Sequence, residues 1–158
     1  MERKTKIDAK PGRQDLVITR DFELPLELLF KAYVEPEIVE QWMGTKVIKL
    51  ESRAHGGWRF ETTDPKGNVH GFNGVIHEFE VNQKITRTFE MEGTPFPVHL
   101  EFLEFQSLSD DRSKLTMHII YKSVEHRDEM LKLPFEFGIN MAHDRLQEVV
   151  GKSLKSIG

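Results

Sequence analysis

From Leu16 the chain alternates. Ile18, Phe22 and Leu24 fall on one face, and Thr19, Asp21 and Glu23 fall on the other. That period of two predicts a half-buried strand, with Arg20 interrupting its apolar face. Pro25 then opens a helical stretch in which Leu26, Leu29, Phe30 and Tyr33 recur at helical spacing, since proline suits a first helical turn. Pro36 restarts the chain, Ile38, Val39 and Trp42 continue the amphipathic pattern, and Gly44 ends it. Two short consecutive helices are predicted.

The middle of the chain is strand-like. Runs over 45–53, 58–63, 68–80, 84–91, 98–108 and 114–122 are separated by turn signals. Gly56-Gly57, Asp64-Pro65-Lys66-Gly67, Asn82-Gln83, the loop 93–97 and Ser109-Asp110-Asp111-Arg112 supply them. A short helical turn is expected over 125–132 and the main C-terminal helix from Pro134 onward. In that helix Phe135, Ile139, Ala142, Leu146, Val149 and Val150 form a stripe at 3–4 spacing. Consecutive strands joined by short turns favour an antiparallel meander. A strongly curved sheet of that kind needs its concave face covered, and only the last helix is long enough. The fold class is therefore α+β, with a curved antiparallel sheet of about six to seven strands around a long C-terminal helix.

Length and composition narrow the function. The 158 residues predict a single domain over 16–158, preceded by a flexible polar lead-in, 1–15, that contains Pro11-Gly12. Hydrophobic residues make up 38%, which is enough for a core. A net charge of −4 argues against a nucleic-acid partner, which needs a basic face. The absence of cysteine excludes disulfides, thiol nucleophiles and cysteine metal sites. No run of roughly 20 apolar residues is present to span a bilayer, and the N-terminus lacks the apolar core of a signal peptide. A cytoplasmic location is expected.

At this point a resemblance emerges. Ile18-Thr-Arg-Asp-Phe-Glu-Leu-Pro25, Leu29-Phe30-Lys-Ala32, Glu35-Pro36-Glu37, Trp42, His55-Gly-Gly-Trp-Arg-Phe60, Lys66-Gly67, Gly74-Val-Ile-His-Glu-Phe79 and Lys84-Ile-Thr86 occur in order. Together with Gly138 and Leu146 they resemble the family of the activator of the ninety-kilodalton heat-shock protein ATPase, within the START-like (SRPBCC) superfamily. The resemblance covers about 16–150. It implies a helix-grip fold with a cavity between sheet and helix, and it leaves function open, because fold does not fix function. Two positions depart from the family pattern. Ile139 stands where a Trp usually follows the glycine, which opens space, and His143 places a polar group beside the inward stripe. Met43 also stands where an aromatic residue often follows Trp42.

Candidate chemistry is sparse. Seven histidines show no metal-ligand spacing, so no metal and no cofactor are expected. His126-Arg127-Asp128-Glu129 reads as a charged helix start. No serine sits in a nucleophile elbow. Gly56-Gly57 lacks the helix and lysine of a phosphate loop and reads as a turn or bulge. His143 is the sharpest candidate, a hydrogen-bonding group able to orient the polar end of a ligand. Trp42, Phe60, Phe72, Phe89, Phe102, Met117, Phe135, Ile139 and Ala142 are the apolar candidates to line a cavity with it. The leading expectation is a non-enzymatic binding module for a small apolar or amphipathic molecule, with no catalytic residue. The alternatives are a chaperone-associated protein-binding domain and a small cyclase- or hydratase-like enzyme using His143. A monomer and a dimer are both compatible with the pattern.

Overall fold

The computed structural model describes residues 4–157, so Met1–Arg3 at the start of the lead-in and the terminal Gly158 lie outside the described residues. The described residues form eight strands and four helices. The strands are β1 (Lys6–Asp8), β2 (Asp15–Phe22), β3 (Lys46–Leu50), β4 (Gly57–Thr63), β5 (Val69–Glu80), β6 (Lys84–Met91), β7 (His99–Ser109) and β8 (Arg112–Ile120). The helices are α1 (Leu26–Val34), α2 (Pro36–Met43), α3 (Val124–Lys132) and α4 (Phe135–Ile157). All neighbouring strands are antiparallel, in the order β1-β2-β8-β7-β6-β5-β4-β3.

The predicted α+β architecture is the observed one: a wide antiparallel sheet, two short helices after the first predicted strand, and one long terminal helix. The strand count is higher because part of the lead-in is a strand. β1 pairs with β2 through Lys6↔Thr19, Ile7↔Ile18 and Asp8↔Val17. Three residues are too few to register as an alternation. The pairing is stabilised from outside the segment, because Thr5 is buried against α4.

The helix boundaries follow from local chemistry. Pro36 occupies the first turn of α2, and Gly44 closes it at φ 64°, a left-handed conformation that costs glycine little. Ser123 caps α3 by accepting the His126 N–H at 3.0 Å. Leu133 is extended (φ −68°, ψ 164°), as the residue before a proline prefers, and this separates α3 from α4.

Strand register assigns the faces. Leu16, Ile18, Arg20 and Phe22 of β2 share a face with Leu115, Met117 and Ile119 of β8, and with His99, Glu101, Leu103 and Phe105 of β7. The same inner face continues through Ile85, Arg87 and Phe89 of β6 to Phe72 and Ile76 of β5 and to Trp58 and Phe60 of β4. A bulge between Ile76 and Glu78 puts both Ile76 and Phe79 inside, while Val69 and Val75 face out. At one end this face is tightly closed. Phe30 meets Phe79 and Phe105 edge-on at 5.5 and 5.0 Å, and Tyr33 meets Phe105 at 5.5 Å. α4 is fixed over the β1–β2 side. Leu146 is fully buried, the Gln147 side chain accepts the Glu23 N–H at 2.8 Å, and Arg145 donates to the Gln41 carbonyl at 3.0 Å.

Candidate functional site

Away from that closed end, the inner face keeps a run of aromatic rings. Trp58 packs on Phe60 at 4.8 Å and on Phe89 at 5.7 Å, and Phe89 also meets Phe72 at 5.7 Å. Phe89 stacks on His99 at 4.7 Å, and the chain of rings continues through Tyr121 to His126 and Phe96. Trp58 and Phe60 are buried, but Phe72, Phe89, Met91 and Phe96 are only half-buried. On the helical side Phe135, Ile139 and Ala142 are also half-buried against the core. Several apolar side chains on both walls therefore stay partly open rather than sealed.

A charged cluster lies in the same register. Glu101 is buried, with one carboxylate oxygen accepting from Arg87 Nε at 2.9 Å and the other 2.9 Å from His99 Nε2. Burial alone would raise the Glu101 carboxyl. The Arg87 charge and the His99 contact overcome that and hold it at about 2. The Arg87 guanidinium lies 5.3 Å from the Trp58 ring centre. Gly74 makes room beneath: a Cβ there would collide with the Thr88 carbonyl and the Trp58 indole nitrogen. Four buried polar atoms nearby have no partner among the described residues: the Trp58 indole nitrogen, the Tyr121 hydroxyl and both His126 ring nitrogens. Burial raises the Tyr121 hydroxyl pKa and lowers that of His126.

The ten predicted site residues do not all meet. Phe60, Phe72 and Phe89 belong to the aromatic wall, and Phe135, Ile139 and Ala142 belong to α4. Met117 is on the inner face but buried in the core. Trp42 is sealed between α1 and α2, where its indole donates to the Ala32 carbonyl at 2.7 Å. Phe102 is on the wrong face. It alternates with the inward Glu101 and Leu103 and packs beside His118 at 6.1 Å on the outer side. Its apolar character misleads because a strand sends successive side chains to opposite faces. Arg87, His99, Glu101, Tyr121 and His126 escape a search for apolar positions. Their signal is the one that marks Arg20, a polar residue standing in an apolar register.

The family model described as Activator of Hsp90 ATPase homolog 1-like protein matches residues 23–151. The chain belongs to this family. Among solved structures, a Mycobacterium smegmatis protein is 19% identical with a TM-score of 0.82, over 92% of this chain and 95% of that one. A Rhodobacter sphaeroides protein is 19% identical at 0.83, over 93% and 99%. An Arthrobacter aurescens protein is 16% identical at 0.84, over 93% and 91%. At such identities these likenesses establish the helix-grip fold. No curated protein matches the chain.

Within the family fold, His143 takes a different place from the one its position implies. It is 1% exposed and edge-on to Phe22 at 5.6 Å, with Nδ1 2.9 Å from the Thr5 hydroxyl. Thr5 also accepts from Arg20 Nη1 at 3.1 Å, and the same nitrogen donates to Asp144 at 2.8 Å. Burial, reinforced by the Arg20 charge, lowers His143 to about 4. The group is neutral at pH 7 and ties α4 to the β1–β2 edge. Among the described residues no cluster of metal-ligating side chains occurs, and no helix is long and apolar enough to cross a membrane. The stretch 126–129, expected as a charged helix start, is partly internal. Arg127 is buried and donates to the Lys10 and Asp15 carbonyls at 2.7 and 3.2 Å.

Proposed function

We propose that this protein is a binding module for a small amphipathic molecule, held on the inner face of the sheet beside the N-terminal half of α4. One observation carries the reading. Phe72, Phe89, Met91 and Phe96 face inward yet stay partly open, directly beside a buried charged and hydrogen-bonding cluster. Apolar walls with a few fixed polar groups are what a ligand with one greasy and one polar end requires. Native mass spectrometry of gently purified protein tests this, together with uptake of the fluorescent apolar probe 1-anilinonaphthalene-8-sulfonate. Saturable uptake with about one probe per chain is expected. A protein that takes up no probe and carries no co-purified molecule overturns the proposal.

A second reading draws on the surface of α4. Leu133 just before it, then Phe137 and Met141 on it, repeat every fourth residue and are 42%, 59% and 56% exposed. Such a stripe suits a protein partner, and family membership makes a chaperone of the ninety-kilodalton class the one to try. Stimulation of that chaperone's ATPase, lost in Phe137→Ser, supports this reading. Neither binding nor stimulation removes it.

A further inference from the structure

We infer that the polar end of the ligand is a carboxylate and that Arg87 receives it. The inference rests on the binding-module reading above and names the chemical class of molecule bound. Arg87 has five N–H donors. One is used, from Nε to Glu101. Nη1 and Nη2 make no hydrogen bond to any described residue and are not sealed from solvent, although the side chain is only 12% exposed. The position is an inner-face one. Arg87 pairs in register with Ile76 and Glu101, follows Ile85, precedes Phe89, and lies over the Trp58 ring. The free edge of the guanidinium therefore stands at the margin of the aromatic wall.

The surroundings fix that fork. Glu101 holds the Nε side, and the carboxylate is itself held by His99, which stacks on Phe89. Trp58 supports the guanidinium plane, and Gly74 admits the indole. Both Glu101 oxygens are occupied, so the anion next to Arg87 is already committed. What remains is a planar pair of donors on a preorganised cation, which matches a carboxylate bidentately and matches a hydroxyl or an ester poorly. The ligand class is an apolar acid, with hydrocarbon or aromatic body against Phe72 and Phe89 and its carboxylate at Arg87.

The test displaces bound 1-anilinonaphthalene-8-sulfonate at pH 7.5 with decanoic acid, decanol and methyl decanoate, and follows tryptophan emission, since Trp58 lies under Arg87. Decanoate is expected to compete roughly tenfold or more better than the other two and to shift the emission. Arg87→Lys keeps the charge but loses the fork, so it is expected to abolish most of that preference. If the variant does not fold, the comparison of the three compounds on the unaltered protein still decides. Equal displacement by decanol or methyl decanoate, with probe uptake intact, overturns the carboxylate assignment and leaves the binding module standing. Failure of the unaltered protein to take up any probe overturns both.

Discussion

At the residue scale, the inner face holds buried polar atoms that have no partner among the described residues. An unpartnered buried polar atom costs stability, whereas replacing it by an apolar group of the same shape costs little. Tyr121 is 2% exposed and its hydroxyl has no partner among the described residues. Tyr121→Phe is therefore expected to leave the fold unchanged in stability or about 1 kcal/mol more stable by urea denaturation. A loss of more than that shows that the hydroxyl is satisfied in solution. Gly74 has the opposite sensitivity. Its missing side chain accommodates the Thr88 carbonyl and the Trp58 indole, so Gly74→Ala is expected to cost about 1–3 kcal/mol by the same measurement and to disturb tryptophan emission. Gly74 lies within β5 and Tyr121 directly after β8, and the sequence pattern shows only which face each belongs to. Which atom lies against them depends on the neighbouring strand's register.

At the scale of elements, α4 does two different things along its length. Around Asn140, His143, Leu146 and Gln147 it is clamped to β1, β2 and the β2–α1 junction. Around Phe135, Ile139 and Ala142 it stays half-open. The stripe in the sequence is continuous across both parts, because helical spacing reports a face and not what covers it. Filling the open half is expected to block the proposed binding site without loosening the clamp. Ile139→Trp adds indole volume there, and probe affinity is expected to fall by roughly tenfold with no loss of thermal stability. Unchanged affinity would place the bound molecule elsewhere. β1 shows the converse limit. Three residues in a polar segment carry no readable pattern, and only Thr5, held by Asn140 and His143, reveals why they are fixed.

At the scale of the whole molecule, the internal ionisable groups set the response to acid. The folded-state His143 titrates at about 4 against an ordinary 6.5. Between those values the unfolded chain binds more protons, so stability is complete above pH 6.5 and falls as the pH drops toward 4. At 1.36 kcal/mol per pH unit the loss reaches up to roughly 3 kcal/mol. His126, also lowered by burial, adds to it in the same direction. Glu101, depressed to about 2 from 4.5, contributes stability that is lost as the pH falls from about 4.5 toward 2, so its loss begins at the acid end of that window. Denaturant melts from pH 4 to 7 are expected to show the slope, and His143→Gln is expected to flatten most of it. An unaltered slope in the variant assigns the effect to other groups. The half-open aromatic wall and the clamp lie along the same inner face but over different strands, and His143, the sharpest polar position along the chain, is sealed in the clamp between α4 and the β1–β2 edge. Arg87, unremarkable in the chain, is the residue proposed to receive the ligand's carboxylate. The amino-acid pattern by itself determined the alternation of strands, the paired short helices, the terminal helix and the family, because those depend on periodicity and on turn residues close together in the chain. Tertiary structure alone decided which polar side chains are neutralised, which are sealed and which keep free donors. Such properties depend on partners brought from distant strands, and no local spacing encodes them.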